Sequence, residues 1–319
     1  MNMNDNYHLP PQAYAQPEDE IDLKELFIAL WKGKWIIILM TLIFAAGGVF
    51  YALQQPNTYK AEAVLASSND NQSGGLAAMA SQFGGLASLA GINLGGGSTD
   101  SKAMALATLQ SRKFLNAFIN KYDLLIPLMA GKNWNAASDT LQLDPEIYDA
   151  QNQKWLREVE PGKSPIPTDW EAYKEFKTLL AVSESKDNGL VTVSITHLSP
   201  TIAKQWVDWL IKELNAWTKR ESLDETRRNI QYLEAQIEQT SISDMQAVFY
   251  QLIEEQTKNL MLAQVQEEFA FKVIDPAVVP EEKAGPKRAL ICVIATLLGG
   301  MLGMGIVLIR FAFSSKKED

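Results

Sequence analysis

Two imidazoles, His8 and His197, and one thiol, Cys292, are the whole supply of neutral-pH bases, thiol nucleophiles and soft metal ligands in this chain of 319 residues. General-base catalysis needs such a group held beside the proton it takes, and a catalytic zinc needs about three protein ligands at once. Two histidines cannot form a multi-histidine centre within one chain, and one cysteine builds neither a disulfide framework nor a cysteine-based zinc site. His197 falls between a strand pattern and a helix cap, which predicts a structural role. The carboxylate pairs Glu254-Glu255 and Glu267-Glu268 are adjacent in sequence, so they project in different directions and read as solvated faces. Gly95-Gly96-Gly97-Ser98-Thr99 lacks the lysine of a phosphate loop, and neither a Gly-x-Ser-x-Gly elbow nor a His-Glu-x-x-His pair occurs. The residues therefore predict no catalytic group, no metal and no cofactor.

Charge narrows the partners. The chain carries 29 Lys and Arg against 38 Asp and Glu, a formal net charge of −9, which leaves no basic footprint for nucleic acid. An apolar content of 47% excludes a disordered chain. The mean hydropathy of −0.10 resembles that of a soluble protein, but the average conceals two apolar runs.

Residues 35–53, WIIILMTLIFAAGGVFYAL, and 289–309, ALICVIATLLGGMLGMGIVLI, contain no charge. About 20 apolar helical residues cross a bilayer core of about 30 Å. The first run is too long, and starts too far along the chain, for a signal peptide. Lys24, Lys32 and Lys34 precede it, and only Lys60 lies close behind, so the N-terminus is expected to stay cytoplasmic. The expected division is a cytoplasmic tail over 1–34, spans at 35–53 and 289–312, an acidic domain on the far side over 54–288, and a cytoplasmic tail over 313–319.

Within these bounds, residues 1–17 read as disordered, and IDLKELFIALWKGKW, from Ile21, reads as an amphipathic helix at the interface, with Trp31 and Trp35 at headgroup depth. Tyr59, Ala61, Ala63 and Leu65 alternate as a strand, and residues 67–101 are Gly-rich and flexible in character. Residues 102–122 predict one surface helix. Trp134, Trp155 and Trp170 are expected to pin the turn-rich 130–169 stretch to the core, with an aromatic sugar platform as the alternative. A helix over Glu171–Leu180 and a strand at Val191, Val193 and Ile195 follow.

Ser199 and Pro200 open a helix expected over about 200–240, too long to bury in a compact domain. Its distal seam, Leu223, Ile230, Leu233 and Ile237, repeats like a heptad and needs a partner, from its own hairpin or a neighbouring subunit. Phe269, Phe271 and Val273 suggest a last strand, expected to pair with the first. Pro276, Pro280 and Pro286 stiffen the entry to the second run, where Lys287 and Arg288 meet the headgroup layer. Inside that run Ala295, Gly299 and Gly303 recur every four residues, a small-residue face for close helix packing, and Ala45, Gly47 and Gly48 offer a matching thin region.

In this order the pieces resemble the Wzz-type chain-length determinants, or polysaccharide co-polymerases, of Gram-negative inner membranes. The resemblance rests on IDLKELFIALWKGKW, GLASLAG at 85–91, NGLVTVSITHLSPTIAKQW at 188–206 and FKVIDPAVVPEEKAGPKRALI at 271–291. Gly285 departs from it, standing where Ser often precedes the family's Pro-Lys. It implies an α+β membrane protein: two transmembrane helices flanking a periplasmic α/β base domain with a long protruding helix. It also implies a homo-oligomer, commonly an octamer, that sets polysaccharide length with a Wzy-type polymerase, without enzymatic activity, and with lipid-linked polysaccharide as a further partner. Since only a short tail follows Phe313, the smaller class without a kinase domain, linked to O-antigen, is the expected match. The alternatives are a capsule, exopolysaccharide or common-antigen co-polymerase, and a membrane adaptor that binds a periplasmic ligand.

Overall fold

A computed structural model describes residues 23–68 and 98–315. The readings placed on the N-terminal tail to Asp22, on residues 69–97 with GLASLAG, and on 316–319 lie outside them. The chain divides into two compact units, residues 1–55 with 287–319, and residues 56–286.

The first unit contains α1 (Leu23–Lys32), α2 (Lys34–Gln54) and a third helix, Arg288–Ser315. α2 and the third helix are long and apolar enough to cross a membrane. Their outward side chains stay uncovered, among them Leu39, Leu42 and Phe50 on α2 and Leu297 and Met301 on the other helix. The third helix continues past Arg310, so it outruns the apolar segment that announces it.

The second unit is an antiparallel sheet with helices packed on one face. Its strands are β1 (Tyr59–Ser67), the small hairpins β2 (Gly131–Asn135) with β3 (Thr140–Leu143) and β4 (Tyr148–Asp149) with β5 (Lys154–Trp155), then β6 (Leu180–Glu184), β7 (Val191–His197) and β8 (Phe271–Asp275). Its helices are α3 (Ser98–Leu109), α4 (Arg112–Lys121), α5 (Leu125–Met129), α6 (Asp169–Leu179), α7 (Pro200–Gln239) and α8 (Ser243–Val265), which makes Arg288–Ser315 α9. The main sheet runs β6-β7-β1-β8, so the strands at the two ends of this unit pair with each other. Period-two alternation sends Ala61, Ala63 and Leu65 of β1 and Val191, Val193 and Ile195 of β7 into the core, all essentially inaccessible. Phe114, Phe118, Phe176, Trp206, Leu210 and Leu214 cover them from the helices.

β8 is an edge strand, and side chains take up three of its outward backbone groups. The Asn215 side chain accepts from the Phe271 N–H (2.9 Å) and donates to the Phe271 carbonyl (2.9 Å). The Val273 N–H donates to Glu268 Oε1 at 3.1 Å.

Ser199 caps α7 by accepting from the Ile202 N–H, and Pro200 occupies the first turn. At about 1.5 Å per residue this helix reaches about 60 Å. From Ala203 to Asn215 it buries a continuous stripe; beyond Asn215 its only buried residue is Leu233. α8 runs back along it. The Gln246 side chain closes the bend by donating to the Thr240 carbonyl at 2.6 Å.

Several expectations need correction. Residues 102–122 are two helices, because Ser111 accepts from the Phe114 N–H at 3.2 Å and starts a new one. Their apolar stripe (Leu109, Phe114, Phe118, Ile119) faces the core, as the spacing of a surface helix requires. The helix expected over Glu171–Leu180 stops at Leu179 and passes directly into β6. Phe269 precedes the last strand. The tryptophans do not act alike: Trp155 packs with Tyr148 and Ala130 in a separate small cluster, Trp134 meets Tyr59 edge-on at 5.2 Å, and Trp170 is 52% exposed.

Candidate functional site

Three places carry the residues singled out by the sequence. The first is the contact between α2 and α9, which run antiparallel. A methyl on Gly299 would sit 2.7 Å from Phe44 Cβ and 3.0 Å from the Met40 carbonyl oxygen. One on Gly303 would sit 2.8 Å from Ile37 Cα, and one on Gly48 would sit 2.5 Å from Ala295 Cβ. Ala295, Gly299 and Gly303 share a face because residues four apart stack on a helix, and only small side chains let two backbones come this close. The thin region expected on α2 narrows, since Gly47 meets nothing within 4 Å. A contact the sequence did not suggest lies at Gly33, where a methyl would overlap the Val307 side chain.

The second place is the proline-rich junction, whose two ends belong to different units. In the 56–286 unit, Pro276, Pro280 and Pro286 lie in a stretch with neither helix nor strand. Its end is tied to the start of β1: the Thr58 N–H donates to the Gly285 carbonyl (3.0 Å), and the Ala284 N–H donates to the Thr58 carbonyl (2.8 Å). The Gly285-Pro286 peptide is cis, and a methyl on Gly285 would sit 2.8 Å from Thr58 Oγ1. In the helical unit, Lys287 is exposed while Arg288 turns inward. Arg288 Nε donates to the Ala52 carbonyl at 3.0 Å, and its terminal nitrogen donates to the Gln55 carbonyl at 3.2 Å. These are among the last carbonyls of α2 and its cap, which have no partner within their own helix and attract a cation.

The third place is the hairpin of α7 and α8. Leu233 is 2% exposed, Leu223, Ile230 and Ile237 are half-buried, and Phe249 on α8 is 6% exposed. Lys219 Nζ holds the return of the hairpin by donating to the carbonyls of Gln264 (2.7 Å) and Gln266 (2.9 Å).

His197 is placed for structure rather than proton transfer. Its Nδ1 accepts from the Ser199 N–H at 3.1 Å, so the proton of the neutral ring sits on Nε2, which faces the Pro127 carbonyl at 3.4 Å. Burial lowers its pKa below the usual histidine value, against the weaker opposing effect of these two hydrogen bonds. Among charged groups, Glu213 is nearly inaccessible and is neutralised by Lys121 and by Arg220 at 3.2 Å. Glu171 is held below the ordinary carboxylate range, first by the Thr168 N–H and then by Arg157. Among the described residues, no group of three or more His, Cys, Asp or Glu could hold a metal ion.

Such a framework defines a class: an α+β domain that lies in sequence between two helices long and apolar enough to cross a membrane. Comparison with known proteins makes the class specific. Residues 19–122 match the Wzz model, described as chain length determinant protein, and residues 240–312 match GNVR, a G-rich domain whose description ties it to tyrosine kinases. The resemblance to Wzz-type chain-length determinants thus holds over residues 19–122. The curated relative FepE, the ferric enterobactin transport protein of Escherichia coli (strain K12), is 44% identical over 41 residues. That match spans 13% of this chain and 11% of FepE. Among solved structures, a full-length bacterial polysaccharide co-polymerase superposes with a TM-score of 0.38 at 17% identity, covering 92% of this chain and 99% of that one. A fragment of WzzB, a polysaccharide co-polymerase from Salmonella Typhimurium, superposes with a TM-score of 0.30 at 12% identity, over 72% and 100%.

Proposed function

We propose that this chain regulates how long a polysaccharide grows, as a membrane-anchored scaffold with no catalytic step of its own. The match of residues 19–122 to the chain length determinant model carries the reading. That match begins before α2 and runs through β1 to the end of α4, so it takes in an apolar helix and part of the α+β domain together. The GNVR match supports it from the other side, spanning the hairpin bend, α8, β8, the proline junction and most of α9.

In this reading α2 and α9 span the bacterial inner membrane, both termini are cytoplasmic and residues 54–288 are periplasmic. The polymer is O-antigen of lipopolysaccharide, the partner is a Wzy-type polymerase, and the working form is a homo-oligomer. Pro276, Pro280, Pro286, Lys287 and Arg288 with the Ala295-Gly299-Gly303 face couple the scaffold to the polymerase. The seam at Leu223, Ile230, Leu233 and Ile237 serves the hairpin or the subunit contact.

The test is to delete the gene and display surface polysaccharide on a gel. Altered length with unchanged sugar composition is expected, restored by the wild-type chain and not by one with Gly299 and Gly303 replaced by Leu. Lost linkages or missing sugars would point to an enzyme instead. A wild-type ladder from the double variant, at normal protein level, would remove the helix pair from the coupling.

A further inference from the structure

Three large apolar side chains of α1 point outward. Phe27, Ile28 and Trp31 are 67%, 52% and 64% exposed, and the rings of Phe27 and Trp31 stack 6.4 Å apart. Its other side is fastened down: Ala29 is 7% exposed, α1 packs against α9, and Gly33 behind it abuts Val307, itself buried. The helix is therefore held by protein on one side and uncovered on the other.

Cations and a further indole gather at the same end of the helix pair. Lys32, Lys34 and Arg310 are exposed, Lys34 Nζ lies 4.9 Å from the centre of the Trp31 ring, and Trp35 is 73% exposed at the start of α2. One residue, Gly33, separates α1 from α2. If α2 spans a bilayer, α1 is held within a turn of its boundary, where indole rings favour the interface and ammonium or guanidinium groups meet lipid phosphate.

We propose that α1 and the adjoining end of α9 form a binding site for anionic phospholipid headgroups. Phe27, Ile28 and Trp31 enter the acyl boundary, and Lys32, Lys34 and Arg310 engage the phosphate. The proposal rests on reading α2 and α9 as membrane spans. Because α1 is fastened to α9, lipid held there braces both helices at once.

The full chain, with Cys292→Ala as background and a single spin label at Ile28→Cys or at Leu42→Cys, is placed in nanodiscs of phosphatidylcholine with phosphatidylglycerol, and label depth is measured. The label at 42 is expected in the acyl core and the label at 28 at the headgroup boundary. In native mass spectrometry, the unlabelled chain is expected to retain phosphatidylglycerol over phosphatidylcholine. The triple variant Lys32→Gln, Lys34→Gln, Arg310→Gln should lose most of that preference. A water-exposed label at 28 with a deep label at 42 overturns the lipid site and leaves the spans standing. A water-exposed label at 42 overturns the spans and the site together. An unchanged lipid preference in the triple variant also overturns the proposal.

Discussion

Arg288 Nε donates to the carbonyl of Ala52 at 3.0 Å, so the first residue of α9 caps the far end of α2. Two helices separated by more than 230 residues of sequence are joined by one guanidinium, which also reaches Gln55. Removing it leaves helix-end carbonyls without their cation. Arg288→Met should cost about 1–2 kcal/mol, the usual size of a partly buried charge at a helix terminus. Arg288→Lys should recover only part, because an ammonium cannot match the fork of donors. Thermal unfolding in detergent checks both, and an Arg288→Met chain as stable as wild type would show that the cap is dispensable.

The glycines of the helix pair should sort by what faces them. Gly299→Ala and Gly303→Ala push a methyl against Phe44 and Ile37, and should each cost about 1–3 kcal/mol unless the helices move apart. Gly47→Ala has open space before it and should be neutral or slightly stabilising, since alanine is the better helix former. Equal losses at positions 47 and 303 would contradict the geometry.

The α7 seam makes a graded prediction. Leu233→Ala should destabilise the hairpin by about 2 kcal/mol or more, as a buried leucine, and half-buried Ile230→Ala by less. Ile230→Asp with Leu233→Asp should open the hairpin to protease and lower the yield of crosslinked oligomer. Undiminished crosslinking with an opened hairpin would confine the seam to folding within one chain.

His197 gives the domain an acid-sensitive point. Its folded pKa lies below its unfolded one, so the unfolded chain takes up the proton first. The stability this burial provides is complete above the unfolded histidine value, near pH 6.5, and is lost as pH falls from there through the folded value. Protonation would also set a second N–H against the Ser199 N–H at the cap of α7. The wild-type Tm should therefore fall between pH 7 and pH 5 more steeply than that of His197→Gln. Parallel curves would assign the loss to other groups. Further down, Glu171 adds loss of the same sign, because its lowered carboxyl must be protonated as pH drops below the carboxylate range.

Much of the fold was readable where one physical signal dominated. Uncharged runs announced α2 and α9, alternation announced β1 and β7, and Ser199-Pro200 announced the start of α7. The reading failed where signals overlapped. The apolar spacing slips from steps of three or four to five only once, between Leu109 and Phe114, so Ser111 within that gap is the one sign of a change of helix. No glycine or proline separates α6 from β6, so the strand that begins at Leu180 went unread and its first residue was taken as the helix end. The two-residue strands β4 and β5 are too short to show a period. At the candidate site, spacing by four was enough to pick out Ala295, Gly299 and Gly303. It could not name Ile37, Met40 and Phe44 opposite, since any apolar neighbour fits the same pattern. Arg288 read as a cation at the headgroups, because sequence does not reveal which distant carbonyl a guanidinium will find.

The edge of β8 bears on how copies of this chain can gather. With the outward amides of Phe271 and Val273 already donating to Asn215 and Glu268, a neighbouring strand finds those rungs occupied. A strand of a second copy laid along that border, about 4.8 Å away, would find neither amide free to donate. At those two rungs, contact with a second copy falls to side chains.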